Sequence, residues 1–132
     1  EPGELVKVAS GGEISRLMLS LKYILSRTKQ LPVIIFDEID TGVSGEIAHR
    51  MAEMMKEMAC RMQVISISHL PQIAAAGDHH FKVYKEDDQM GTISRIRRLT
   101  DEERVAEIAG MISGSVISEA ALENARLLLG QS

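Results

Sequence analysis

Four apolar residues end abruptly in two adjacent acids at Val33–Glu38, whose sequence is VIIFDE. Apolar and polar residues do not alternate here, as they would in a strand with one solvated face. Such a run is typical of a strand that is buried within a parallel sheet. A second short run, Val64–Ser68, follows at the distance that a strand–helix–strand unit requires. The sequence therefore predicts such a unit, with the two acids at a strand end.

Helical patterns surround this unit. Apolar residues recur at helical spacing over about Gly12–Arg27, behind a capping box formed by Ser10 and Glu13. A second helix is predicted from about Ser44, between the strands. Its apolar face carries four methionines, which indicate core packing: Met51, Met54, Met55 and Met58. The second strand ends at His69-Leu70-Pro71, where a short helix through Ala76 begins.

The pattern changes after Gly77. Phe81–Lys85 and Thr92–Leu99 are typical of the two strands of a hairpin. A capping box of Thr100 and Glu103 then predicts a helix, and Ser118–Leu129 predicts a last one. We find no internal repeat or long linker. The expected fold class is therefore α/β, with residues 1–132 as a single domain of parallel strands, flanking helices, a β-hairpin and C-terminal helices.

Composition limits the classes of function. The 132 residues are 45% apolar and 26% charged, with a net charge of −4, which argues against nucleic-acid binding by bulk charge alone. No apolar run approaches the roughly 18 residues of a membrane helix, so we expect no membrane partner. A single cysteine, Cys60, excludes an internal disulfide and fits a reducing cytoplasm. Residues 1–8 have no period of their own and look like the middle of a longer polypeptide.

Three groups of residues suggest chemistry. At a helix start, Ser10–Glu13 offers paired glycines and free N–H groups to an anion; the alternative is that Ser10 and Glu13 only cap the helix. Asp37 and Glu38 lie where open α/β sheets place ligands, so one acid can hold a metal while the other polarises water. The alternative is a solvated acidic loop. His69 follows the second strand and can contact a phosphate, but a lone histidine there is more often structural.

In this order the three groups resemble the C-terminal half of an ABC-type ATPase head, in particular that of the SMC-related family. Ser10–Glu13 resembles the signature motif, Val33–Glu38 the Walker B strand, Thr41–Ser44 the D-loop and His69 the switch histidine. The resemblance covers almost the whole chain and is most specific from Lys7 to Ile73.

The resemblance implies ATP-dependent repair and recombination at DNA double-strand breaks, in the bacterial cytoplasm at the nucleoid. It implies two cofactors, ATP and Mg²⁺, and three partners: an N-terminal Walker A lobe, a second head and DNA. Asp37 would hold Mg²⁺, through water, Glu38 would be the general base and His69 would sense the γ-phosphate. The opposite head's γ-phosphate would be contacted by Ser10, Gly11, Gly12 and Glu13. The two sites would be coupled by the D-loop residues Thr41, Gly42, Val43 and Ser44.

Two departures from the family pattern matter. Ser44 stands where many D-loops have Asp, and no G-x-x-x-x-G-K-[ST] phosphate cradle occurs in the sequence. We therefore expect that this chain alone does not turn over ATP.

Other interpretations stay open. In one, the chain is a phosphoacceptor or metal-dependent phosphotransfer domain in which Asp37 itself is phosphorylated. In another, it is a non-catalytic interaction module, which leaves the ordered motifs unexplained. A basic cluster of Arg95, Arg97 and Arg98 suggests a DNA contact, but nearby acids make a solvated face the favoured interpretation.

Overall fold

The structure is a computed structural model that describes residues 11–43 and 45–131. The chain divides into two compact units, Glu1–Ala76 and Gly77–Ser132. In the first unit, the described elements are α1 (Gly11–Thr28), β1 (Val33–Asp37), α2 (Gly45–Ala59), β2 (Gln63–Ile67) and α3 (Pro71–Ala76). In the second, they are β3 (Phe81–Asp88), β4 (Gly91–Arg98), α4 (Asp101–Ser113) and α5 (Glu119–Leu128).

The core of the first unit lies between its helices and one face of its sheet. Phe36 of β1 and Leu19 of α1 are almost fully buried, together with the methionine stripe of α2. A hydrogen bond of 2.7 Å from the Tyr23 hydroxyl to the Glu57 carboxylate links α1 to α2. The predicted packing role of the methionines is thus confirmed for Met51, Met55 and Met58, which are buried.

The two strands of this unit pair in parallel, as the sequence predicts, with Val33 opposite Gln63 and Asp37 opposite Ile67. Their burial differs from the prediction. Ile34 and Phe36 are buried, whereas Ile35 on the opposite face is 58% exposed and its register partner Ile65 is 42% exposed. The expectation of a strand buried on both faces is wrong for this chain, because the described helices of the unit cover a single face of the sheet.

The second unit contains the predicted hairpin and helix pair. β3 and β4 are antiparallel with Phe81 opposite Arg98, and the strands extend to Asp88 and Gly91, nearer the turn than the sequence indicated. The capping box of α4 is present: the N–H of Glu103 donates to Thr100 Oγ1, and the N–H of Thr100 donates to Glu103 Oε1, both at 3.2 Å. The side chain of Ser118 caps α5.

The basic cluster on β4 is paired with nearby side chains. Arg95 binds Glu86, Arg97 binds Glu103, and Arg98 lies 2.6 Å from His79 Nδ1. These contacts favour the interpretation of the cluster as a solvated face. Separately, no helix in the described ranges 11–43 and 45–131 is long and apolar enough to cross a membrane.

Candidate functional site

The carboxyl edge of the parallel strand pair brings together three of the predicted site residues. Asp37 is the last residue of β1 and pairs with Ile67, the last residue of β2. Glu38 follows Asp37, and His69 lies two residues beyond Ile67. Because parallel strands end at the same edge, the two acids and the histidine lie at or just beyond that edge, and all three residues are exposed. This arrangement leaves them accessible to a ligand at that edge.

Glu38 holds a backbone conformation that is unusual for a residue with a side chain. Its φ is +50°, the only positive value among the non-glycine residues that the structure describes. The Glu38 N–H donates to the Ile67 carbonyl at 2.9 Å, and its carbonyl accepts from Thr41 Oγ1 at 2.9 Å. These two bonds hold the turn on both sides of Glu38. Conformations of this kind cluster at functional sites, where the surrounding structure keeps them in place.

The predicted D-loop continues from this turn. Gly42 also has a positive φ, of +74°, which glycine adopts without steric cost. Val43 is buried, and its N–H donates to the Asp40 carbonyl at 3.1 Å. Thr41 and Gly42 are exposed. Ser44, which stands where many D-loops have Asp, lies outside the described residues.

A buried carboxylate lies beside the site, at a position that none of the sequence motifs includes. Asp40 is only 1% exposed and accepts a hydrogen bond from the Ser68 hydroxyl. The same hydroxyl oxygen accepts from the Leu70 N–H at 3.0 Å. The sequence held a weak signal for this contact, namely an acid just after the Walker B pair and a serine just before His69. Neither residue type is diagnostic without the register of the two strands.

The predicted signature motif lies at the start of α1. Gly11 and Gly12 are the first residues of this helix, and Glu13 is an exposed acid in its first turn. Ser10, with its predicted capping bond, lies outside the described residues. The contacts of this motif with a nucleotide of another head stay a prediction.

The acids at the strand edge fit Mg²⁺ bound together with a nucleotide. Magnesium prefers hard oxygen ligands and is commonly held by one or two carboxylates together with substrate phosphates. Asp37 and Glu38 supply carboxylates, and no group of three or more His, Cys, Asp or Glu side chains suited to a metal occurs within residues 11–43 and 45–131. Two carboxylates leave the rest of an octahedral Mg²⁺ shell to waters and to oxygens of a bound ligand.

No protein-family model matches the chain. It is, however, 48% identical over 132 residues to the DNA repair protein RecN of Halalkalibacterium halodurans and 47% identical over 129 residues to that of Deinococcus radiodurans. The chain is RecN-like. These alignments cover 97% and 98% of the chain, so the likeness is not confined to the motifs. The chain spans only 23% and 22% of the two RecN proteins, so it corresponds to a segment of RecN.

Solved structures give the fold of this RecN-like segment. An SMC head domain with a coiled coil and joint from Pyrococcus yayanosii aligns with a TM-score of 0.67 and 27% identity, over 78% of this chain and 19% of that one. A second structure, described in terms of ATP-driven dimerization and DNA-stimulated activation of SMC ATPases, also aligns with a TM-score of 0.67, at 23% identity. It covers 84% of this chain and 66% of the other. The expected fold class, that of an SMC-type ATPase head, is confirmed.

Proposed function

We propose that this chain is the C-terminal lobe of the ATPase head of a RecN-type DNA repair protein, where it completes a site for ATP and Mg²⁺. The observation that carries the proposal is the meeting of Asp37, Glu38 and His69 at one sheet edge, in a segment that is RecN-like throughout. The ordered motifs point to these residues, and the parallel register supports a shared site for acids and an imidazole that lie 31 and 32 positions apart in the sequence.

Each residue has a distinct task in this proposal. Asp37 holds Mg²⁺, through water, and Glu38 accepts the proton of the water that attacks the γ-phosphate. His69 donates a hydrogen bond to that phosphate. When bound, Mg²⁺ neutralises phosphate charge. The N–H and the carbonyl of Glu38 are both hydrogen-bonded. The turn therefore holds the proposed base at the end of β1.

The head needs a second lobe. The sequence has no Walker A cradle, and the sheet has an apolar face without cover among the described residues of its unit. Four side chains form this face, each between 42% and 58% exposed: Val33, Ile35, Ile65 and Ile67. An apolar patch of this kind marks a protein contact. We propose that the N-terminal Walker A lobe, outside this chain, covers it and supplies the phosphate cradle.

The site also needs a second head. The signature residues Ser10, Gly11, Gly12 and Glu13 are proposed to contact the γ-phosphate held by an identical head, with Thr41–Ser44 coupling the two sites. The helix start at Gly11 supports this role, since N–H groups at a helix N-terminus favour an anion. A structural neighbour is described as an ATPase whose dimerization ATP drives, which is compatible with pairing of RecN-type heads.

The biological setting follows from the RecN likeness. We propose that the full-length protein acts on broken DNA in the bacterial cytoplasm, at the nucleoid. The arginines of β4 are engaged with acidic or imidazole side chains, and the net charge is −4. DNA binding is therefore assigned to other parts of the full-length protein. Phosphorylation of Asp37 itself, as in a phosphoacceptor domain, is not favoured by the RecN and SMC likenesses.

The test measures ATP turnover with Mg²⁺ by this chain alone and after mixing with a separately made N-terminal lobe. We expect turnover in the mixture only. Glu38→Gln keeps the size of the side chain but removes the base, so it should slow the mixture by about 10²–10⁴-fold. Glu53→Gln, an exposed acid of α2 with side-chain exposure of 66%, is the matched control and should change nothing.

Three results would contradict the proposal in whole or in part. Turnover by the chain alone would show that no external cradle is needed. An acyl phosphate on Asp37 after treatment with a small phosphodonor would support the phosphotransfer interpretation instead. If Glu38→Gln hydrolysed ATP at the unaltered rate, Glu38 would not be the base.

A further inference from the structure

We propose that Asp40 is a positioning residue that, through Ser68, fixes Glu38 and His69 relative to each other. This inference rests on the ATPase function proposed above and adds to it two residues that the ATPase motifs leave without a role. Asp40 lies two residues after Glu38, and Ser68 lies directly before His69. A single side-chain contact thus joins the segment that carries the proposed base to the segment that carries the proposed phosphate contact.

The contact is built into the backbone on both sides. On the side of β1, the Asp40 carbonyl accepts from the Val43 N–H at 3.1 Å, which closes the turn that leads into the D-loop. On the side of β2, Ser68 Oγ accepts from the Leu70 N–H at 3.0 Å while its hydroxyl donates to Asp40 Oδ2. The chain from Asp40 to Leu70 is therefore a continuous series of hydrogen bonds that passes directly beside His69.

The strands alone would not fix these residues. The backbone ladder between β1 and β2 ends with the bond from the Glu38 N–H to the Ile67 carbonyl. Beyond that point neither segment continues as a strand, and His69 lies in the part without ladder bonds. The bond between Ser68 and Asp40 extends the connection past the end of the sheet, to the place where the proposed chemistry needs it.

Fold stability is a weak explanation for a carboxylate at this position. Asp40 is 1% exposed, and its Oδ1 atom is buried without a hydrogen-bond partner in the described part of the chain. A buried carboxylate with an unpaired oxygen destabilises a fold unless other contacts compensate for its lost hydration. An apolar side chain of similar size would avoid that cost, but it would not hold Ser68. The linkage of the two segments is therefore the better explanation.

The experiment uses the full-length protein and four variants: Asp40→Ala, Ser68→Ala, the double variant and Asp40→Asn. Asparagine retains an oxygen that can accept from Ser68, so it tests rescue by a conservative change. Ser66→Ala is the matched control, since Ser66 lies on β2 two residues before Ser68, is exposed and makes no side-chain hydrogen bond in the described structure. Turnover is expressed per bound nucleotide, so that loss of folded protein does not count as loss of rate.

We expect Asp40→Ala and Ser68→Ala to lower kcat about tenfold or more with KM within about twofold, because misplaced catalytic groups affect the reacting step. The double variant should match the slower single variant, since both changes remove one contact. Asp40→Asn should retain most of the rate, and Ser66→Ala all of it.

Hydrogen–deuterium exchange without nucleotide gives a second readout. Both single variants should speed exchange in residues 38–43 and 66–71 and leave α4 and α5 unchanged. The inference is overturned if kcat per bound nucleotide stays within about twofold of the parent, if the effects multiply in the double variant, or if exchange rises throughout the chain. Absence of ATPase activity in the unmodified protein would instead overturn the proposed function, while the exchange pattern would still decide whether the linkage exists.

Discussion

Glu38 combines a carboxylate that the proposed chemistry needs with a backbone conformation that its side chain disfavours. A left-handed conformation costs a residue with a Cβ atom roughly 1–2 kcal/mol, because Cβ approaches the following carbonyl oxygen. The cost is offset by the bonds to Ile67 and from Thr41. At this residue, the position of the proposed base therefore requires a backbone conformation that lowers the stability of the turn.

This conflict predicts the order of stability among variants at position 38. Glu38→Gly and Glu38→Ala both remove the carboxylate, but only glycine adopts φ = +50° without steric cost. We expect the glycine variant to have a free energy of unfolding about 1 kcal/mol higher than the alanine variant, measured by urea denaturation. In the mixture with the N-terminal lobe, both should turn over ATP about 10²–10⁴-fold more slowly than the parent.

The matched control is the same pair of changes at Glu53, in the interior of α2. There glycine should be the less stable variant, by about 1 kcal/mol, because it lowers helix propensity. A glycine variant at position 38 that is less stable than the alanine variant would show that the positive φ is not a source of strain.

Most helices and strands could be predicted from local patterns, because caps and periodicity are local. The capping box at Thr100 and the β3–β4 hairpin are confirmed in this way. The exposed face of β1 could not be predicted, since Ile35 is as apolar as Ile34 and composition does not show whether a covering layer belongs to the same chain. Burial of a strand face depends on what packs against it.

The site shows the same division between local and non-local information. The Asp37–Glu38 pair and His69 stand out in the sequence because each follows an apolar strand. Asp40 and Ser68 are 28 positions apart in the sequence, so the bond between them depends on the register of β1 against β2 and not on a local pattern. This contact escapes sequence analysis because it is made between two elements.

In the second unit, the surroundings of His80 predict that the free energy of unfolding depends on pH. His80 lies just before β3, half-buried, with its Nδ1 atom unpartnered among the described residues. Burial lowers the pKa of His80 below its usual 6.5, and the charges of Arg104 and Lys82 add to the shift while Glu107 opposes it. As pH falls through the unfolded pKa of about 6.5, the unfolded chain binds the proton first, so stability should decrease.

Urea denaturation at about pH 7.5 and about pH 5 checks this linkage. His80→Gln should reduce the loss of unfolding free energy between the two pH values. An equal loss in the parent and in His80→Gln would assign the pH dependence to other groups.

At the scale of the whole molecule, the proposed N-terminal lobe would account both for the exposed apolar sheet face and for the lack of a Walker A cradle in the sequence. The chain spans 23% of the Halalkalibacterium RecN, and the rest of such a protein is long enough to provide a covering lobe. Phosphate binding and burial of the sheet would then depend on one association. Nucleotide binding and head folding are in that case coupled, because the lobe that brings the cradle also removes apolar surface from water.

Ile35→Lys tests this coupling. Ile35 is 58% exposed, so lysine is tolerated by the chain itself but would bury a charge once the N-terminal lobe covers the sheet. Loss of one buried isoleucine contact is worth about 1.5–3 kcal/mol, which corresponds to a weakening of lobe association by roughly 10–100-fold in calorimetry. Ile96→Lys, a 67% exposed position on β4, is the matched control and should bind normally. Equal affinity of the Ile35 variant and the parent would show that the second lobe docks elsewhere, and the sheet face would then need another partner.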